Sequence, residues 1–424
     1  MKKIITLFSL LFTLLISAQS TYLHCGKLID TKNGKVLKEM TIVITGNKIT
    51  DIKKGYVKAS SDKDNTIDLR TKTVMPGLID MHVHIEGEYD KYSYTNRFKL
   101  EDVDVAFRST VFAKRTLLAG FTTVRDLGGT GVNIALSKAI NNGTVIGPRI
   151  YTAGKAIGTT GGHADPTNGV RKELRGNPGP KEGVINGPAD ARKAVRQRYK
   201  NGADVIKITA TGGVLSVAKD GSGPQFTMEE LTEIIKTAND YGMITAAHAH
   251  GAEGMKRAVL AGITTIEHGT LMNDEIMDLM KQKGTYYVPT ITAGKYVAEK
   301  AAVEGFYPAL VVPKALAIGP QIQNTFGKAY KRGVPIAFGT DAGVFPHGEN
   351  GKEFGFMVEA GMSAMETIQS ATSVNSKVLK NDTIGTIEVG KLADIIATDD
   401  DPTKNIHTME KVSFVMKDGE IYKQ

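Results

Sequence analysis

The feature that most constrains this chain is an alternation of two periodicities. Between residues 74 and 380, short apolar runs of strand type recur at Val74–His84, Thr122–Leu127, Arg149–Ala153, Val205–Thr211, Ile244–His250, Thr264–Gly269, Thr285–Thr292 and Pro335–Asp341. Helix-type segments lie between them, some opening on a capping box such as Thr227-Met228-Glu229-Glu230 or Ser363-Ala364-Met365-Glu366. Eight strands alternating with helices predict an α/β fold, a (β/α)8 TIM barrel, over 74–380. A doubly wound open sheet is the competing architecture. Against it, no Gly-x-Gly-x-x-Gly follows the first strand, and ligand-type polar residues stand at the ends of strands far apart in sequence.

The two chain ends read differently. Thr41–Thr45 turns through Gly46-Asn47 into Lys48–Ile52, and Val412–Met416 turns through Asp418-Gly419 into Glu420–Tyr422; both are hairpin signatures, and Leu392–Ala397 is a further strand. Neither end can bury a sheet face alone. Residues 21–73 and 381–424 are therefore expected to pair into one small β-domain, with the barrel inserted between them.

Met1–Ser20 carries Lys2 and Lys3, an apolar stretch from Ile4 to Ile16, and the small residues Ala18 and Ser20 before a cut near Thr21. A signal peptide over 1–20 is expected, and hence an exported protein, periplasmic or secreted. The stretch is shorter than the ~20 residues of a spanning helix, so stable membrane insertion is not expected. Tyr22-Leu23-His24 also lacks the small residues that precede a lipidated cysteine, which argues against an anchor at Cys25.

Composition narrows the function. Apolar residues make up 41% of 424, enough for a large core. The net charge of +8 is spread without a basic run, so no nucleic-acid partner is expected. One cysteine excludes a disulfide framework and a Cys-ligated zinc site.

Chemistry concentrates at the strand ends. His82 and His84 are two apart on the first strand and face the same way, as a metal-binding pair would. His248 and His250 end the fifth run and His268 the sixth, so five of the nine histidines gather on three strands. Asp341, in Gly339-Thr340-Asp341-Ala342-Gly343, ends the eighth, where a buried carboxylate calls for a cation. Lys207 lies within the apolar Val205-Ile206-Lys207-Ile208, where a bare ammonium is costly. It either snorkels outward or carries CO2 as a carbamate that bridges two ions. His163 stands in a Gly-rich loop, and the stretch His163–Pro188 is long enough to shape a pocket. Arg171, Lys172 and Arg175 within it read as a solvated charged loop.

The set His82-x-His84, Lys207, His248, His268 and Asp341 resembles that of the binuclear amidohydrolase superfamily. Gly161-Gly162-His163-Ala164-Asp165-Pro166-Thr167-Asn168-Gly169, Thr211-Gly212-Gly213-Val214-Leu215-Ser216, Ala371-Thr372-Ser373-Val374-Asn375 and Gly390-Lys391-Leu392-Ala393-Asp394 narrow the likeness. They are similar to the branch related to imidazolonepropionase that holds Xaa-Pro dipeptidases (prolidases) and ochratoxin-hydrolysing amidases. The resemblance implies two divalent ions, Zn2+ the first choice with Mn2+ or Co2+ as substitutes. His82 and His84 would hold one and His248 and His268 the other, with carboxylated Lys207 bridging and Asp341 ligating the first.

It also implies attack by a metal-bridging hydroxide on the amide bond to a C-terminal amino acid, in an Xaa-Pro dipeptide or an N-acyl or aromatic amino-acid amide. Asp341 would move the proton to the departing nitrogen. His163, His250 and, as a weaker candidate, His347 are assigned to substrate binding, with a structural hydrogen bond within a loop as the alternative for each. Two other functions compete: a mononuclear cyclic amidohydrolase or deaminase, which has no use for Lys207, and a non-catalytic envelope protein that binds metal or a ligand. The expected partner is a small molecule or dipeptide, and homo-oligomerisation is left open.

Overall fold

A computed structural model describes residues 19–219 and 221–424; the signal peptide expected over 1–20 lies outside them up to residue 18. The chain opens with four strands, β1 (Ser20–Asp30), β2 (Lys35–Thr45), β3 (Lys48–Lys54) and β4 (Asn65–Pro76). The middle supplies β5 (Leu78–Val83), β6 (Phe121–Asp126), β7 (Arg149–Thr152), β8 (Gly158–Thr159), β9 (Val184–Ile185), β10 (Val205–Thr209), β11 (Ile244–Ala249), β12 (Thr265–His268) and β13 (Tyr286–Val288). The chain ends with β14 (Ile395–Thr398), β15 (Val412–Lys417) and β16 (Glu420–Lys423).

Strands from both ends share one seven-stranded sheet in the order β16-β15-β14-β4-β1-β2-β3. Leu23, Cys25, Ile42, Ile44 and Leu69 from one end pack with Ile395, Ala397, Phe414 and Met416 from the other in a single apolar cluster. Their burial gives the sheet a core that neither end could build. The closing Asp394 ties this sheet to the middle: its carboxylate accepts from Arg149 Nη1 (2.8 Å) on β7 and its carbonyl from Gly77 N (2.8 Å).

In the middle, β5-β6-β7 and β10-β11-β12-β13 form two parallel ladders. Helices follow most of these strands. Met228–Asp240 is typical: Thr227 and Glu230 form the reciprocal cap, and Leu231, Ile234, Ile235 and Ala238 are buried. Between the ladders, Ile157 bonds to Lys207 O and Thr209 N of β10 (2.8 and 3.0 Å). At the far edges, Tyr287 N donates to Pro335 O, and Asp341 N donates to His82 O on β5 (2.8 and 2.7 Å).

Three expected runs differ from the strands observed. Val74–His84 is two strands, because the chain leaves the seven-stranded sheet at Pro76 and enters β5 after Gly77. Gly77 can sit at this crossing because it has no side chain; a Cβ there would lie 2.2 Å from Thr122 Oγ1. Thr285–Thr292 ends as a strand at Val288. Thr290 turns at φ +54°, and the buried Glu353 carboxylate takes the N–H groups of Ile291 and Thr292 (2.8 and 2.7 Å), starting the helix Ile291–Ala301 despite its β-branched residues. Pro335–Asp341 forms single bridges rather than a continuous ladder. Asn375 fastens it instead, donating to both Ile79 O and Phe338 O (2.7 and 2.9 Å). Among the described residues, no helix is long and apolar enough to cross a membrane.

Candidate metal centre

The strand alternation that hides apolar side chains also exposes the polar ones at a single mouth. Val205 and Lys207 share one face of β10, and Ile244, Ala246 and His248 share one face of β11. Val205, Ile244 and Ala246 pack with Met81, Val288 and Ala337 in an apolar plug. Above it, His82, His84, Lys207, His248, His268 and Asp341 line one cavity of about 920 Å³, together with His163 and His250.

Asp341 stands among the imidazoles. Its Oδ1 lies 3.3 Å from His84 Nε2 and 3.5 Å from His82 Nε2, and its Oδ2 lies 4.0 Å from His268 Nδ1. Lys207 Nζ is 3.4 Å from His82 Nε2. Oδ1 of Asp341 is buried without a hydrogen-bond partner, an arrangement that costs free energy unless a ligand answers it. Asp341 (φ +63°) and His268 (φ +69°) both adopt left-handed backbone, a strain that persists where the surroundings hold a side chain on target.

On each ring of the cluster one nitrogen is already engaged. His82 Nδ1 donates to Glu267 Oε2 (2.9 Å), and His84 Nδ1 donates to Gly128 O (2.7 Å). His248 Nε2 donates to Gly212 O (3.2 Å), and His268 Nδ1 pairs with the Thr290 hydroxyl (2.8 Å). A carboxylate or carbonyl on one nitrogen fixes the tautomer and leaves the other nitrogen's lone pair for a cation. Burial holds three of the rings neutral, lowering His82 to about 4 and keeping His248 and His268 well below the ordinary imidazole value. At His84 burial also pushes downward, but the Asp341 carboxylate beside it outweighs burial and raises it. Neutral imidazole is the metal-binding form. Ligand atoms of His82, His268 and Asp341 all lie within 4.8 Å of one another, a spread a single ion can span.

Burial likewise pulls the Lys207 ammonium down to about 8. For Asp341, burial pushes upward, but the charges of His82, His84 and Lys207 outweigh it and hold the carboxyl below its usual value.

The other expected site residues part company. His163 stacks on His248 (ring centroids 4.3 Å apart), and its Nδ1 is buried without a partner. His250 lies edge-on to His248 at 4.6 Å, and its Nδ1 pairs with Thr270 Oγ1 (2.9 Å). His347 does not join them. Its ring stacks on Phe112, Nδ1 pairs with Thr116 Oγ1 (3.2 Å), and Nε2 is shared between the carbonyls of His84 and Gly87 (3.2 and 3.1 Å). It braces the loop after β5 from behind, so its assignment to substrate is corrected. The loop from His163 lines the cavity through Ala164, Asp165, Pro166 and Asn168, whereas Arg171, Lys172 and Arg175 lie outside it.

Sequence reasoning passed over a buried charge pair beneath the site. Glu267 takes His82 on one oxygen and Arg125 Nη2 (2.8 Å) on the other, and Arg125 also donates to Met81 O and Thr265 Oγ1. The signal was present, since Arg125 and Glu267 each interrupt an apolar strand as Lys207 does. Glu267→Ala is expected to destabilise the fold by about 3–5 kcal/mol by leaving the Arg125 guanidinium buried and unpaired. Its metal affinity should fall about 10–100-fold; thermal melting and metal titration of the variant check both.

Residues 73–422 match the family model described as "Amidohydrolase family". The chain is 32% identical to ochratoxinase of Aspergillus niger over 96% of its own length and 87% of that protein. Among solved structures it is similar to a Xaa-Pro dipeptidase with methionine bound in the active site (55% identity, TM-score 0.93, covering 96% of this chain and 100% of that one). A prolidase complexed with N-methylphosphonate-L-proline superposes with TM-score 0.85 at 29% identity, over 96% and 100% of the two chains.

Proposed function

The chain belongs to the amidohydrolase family, and from that premise we propose that it is a binuclear metal-dependent enzyme cutting the amide bond to a C-terminal amino acid. Its substrate class is an Xaa-Pro dipeptide or an N-acyl or aromatic amino-acid amide. One observation carries this reading: six donor side chains from five separate segments of the chain line one cavity, with ring nitrogens of His82, His84 and His248 already engaged on their far sides.

The residues fit two divalent ions, Zn2+ first among them. His82, His84 and Asp341 would hold one, His248 and His268 the other, and a carbamate on Lys207 would bridge them; nitrogen and oxygen donors suit Zn2+. Such ions, when bound, acidify a shared water and polarise the scissile carbonyl.

The chain's own residues do the rest. Asp341, held ionised, accepts a proton during attack and returns it to the leaving nitrogen. His163 and His250 receive the substrate's carbonyl or carboxylate. Tyr89, Tyr94, Val297 and Ile318 provide apolar wall for the acyl side. The names of the similar proteins, a Xaa-Pro dipeptidase, a prolidase with a proline-derived ligand and an ochratoxinase, support the substrate class. A one-ion cyclic amidase or deaminase would leave Lys207 without a task.

The closed eight-stranded barrel is part of the same reading, supported by the bonds of Ile157 and of the 335–342 segment to their neighbouring strands. Export, to the periplasm or the medium, is proposed from Met1–Ser20 alone.

A panel of Xaa-Pro, Xaa-Phe and N-acyl amino acids tests the function. Hydrolysis should stop on chelation and return with Zn2+ plus bicarbonate. Only the neutral amine adds CO2, and with Lys207 titrating near 8 its neutral share grows as pH rises through that value. At a fixed concentration of dissolved CO2, reactivation should therefore be roughly tenfold slower per pH unit below about 7. Full activity in chelator, or reactivation indifferent to bicarbonate and pH, would contradict the proposal.

A further inference from the structure

We propose that Lys314 is a positioning residue that straps the loop after β10 over the cavity and so holds substrate and His163 against the donor cluster. The reaction it serves rests on the amidase reading above; the strap itself rests on geometry. Lys314 stands on the helix Val312–Ile318, about a hundred residues further along the chain. From there its Nζ donates to three carbonyls of that loop: Gly213 O (3.0 Å), Ser216 O (2.7 Å) and Ala218 O (2.9 Å). Three charge-assisted bonds from one ammonium fix a loop more firmly than any one of them.

The strapped segment faces the site. Val214, Leu215, Ser216 and Val217 line the cavity, and so does Ile318 from Lys314's own helix. Among the described residues no ladder connects the two walls that Lys314 joins. On the far side of the loop, the Tyr94 hydroxyl donates to Leu215 O (2.7 Å). At the loop's start, a Cβ on Gly213 would lie 2.2 Å from His163 Cε1, so the backbone presses directly on the His163 ring. That ring stacks on His248, whose Nε2 donates to the preceding carbonyl, Gly212 O. Release of the loop therefore loosens the backing of His163 and opens the acyl-side wall. The metal donors keep their own strand anchors.

The test compares wild-type holoenzyme with Lys314→Met, which keeps the stem and removes the donor, and Lys314→Arg, which keeps the charge. Lys314→Met should raise KM about tenfold with kcat within about threefold, and Lys314→Arg should recover most of the loss. Melting temperature and metal content should stay at wild-type values. Amide hydrogen exchange over residues 213–218 should quicken at least about tenfold in Lys314→Met, because a freed loop opens locally without global unfolding.

Unchanged exchange over that segment would overturn the strap. Faster exchange with an unaltered KM would overturn the positioning role, and a fall in melting temperature or metal content would make Lys314 an ordinary structural residue. If the wild-type enzyme cuts no amide in the panel, the amidase reading fails, while the exchange comparison still decides the strap.

Discussion

Asp341→Asn is expected to lower kcat by about 10³-fold or more while leaving much of the metal in place. The substitution keeps an oxygen where Asp341 Oδ1 and Oδ2 stand, so coordination is weakened rather than lost. The amide cannot take up a proton, and the transfer to the leaving nitrogen has no carrier. The backbone should tolerate the change, since asparagine accepts the left-handed conformation that Asp341 adopts. Steady-state kinetics on a metallated variant of unchanged melting temperature checks it. Wild-type kcat would end the proton-transfer role.

Lys207→Met should be as damaging by a different route. The methionine fills similar space in an apolar strand, so the fold should persist. Without the amine there is no carbamate, and the two halves of the donor set lose the group proposed to join them. Bound metal should fall to one ion or fewer, and activity by at least about 10³-fold, given the several kcal/mol that loss of a buried charged partner costs.

The metal-free variant should also change its response to pH. Lys207 titrates near 8 in the fold and near 10.5 when unfolded, so the unfolded chain binds the extra proton between those values. Wild-type apoprotein therefore gains stability as pH rises from about 8 to 10.5, and Lys207→Met should lack that rise. Melting curves of both apoproteins across this window check the sign.

Much of this was legible because the polar residues of the cavity sit at or near the ends of parallel strands. A histidine or lysine in an apolar strand violates burial rules unless it meets a partner, and His82, His84, Lys207, His248, His268 and Asp341 all announce themselves this way. The same logic extends to Arg125 and Glu267, but their role was hidden because each answers the other's charge out of sight of the cavity. His347 misled for the opposite reason. It stands beside the site in sequence pattern, yet its ring is consumed by Thr116 and two carbonyls behind the wall.

Boundaries failed where tertiary contacts override local preference. Ile291 and Thr292 favour a strand, but the Glu353 carboxylate caps them into a helix. The run Val74–His84 carries its break signal at Pro76-Gly77, where it passes from one sheet to another, but the apolar residues on either side made it read as one strand. Lys314 carried no signal at all, because a lysine that binds carbonyls a hundred residues away looks like any surface lysine.

Metal content of the purified wild-type enzyme, measured by elemental analysis alongside its hydrolytic rate, bears most directly on the central claim. Two divalent ions per chain are predicted, with activity lost in step with their removal by chelator. A fully active chain holding one ion or none would contradict the account.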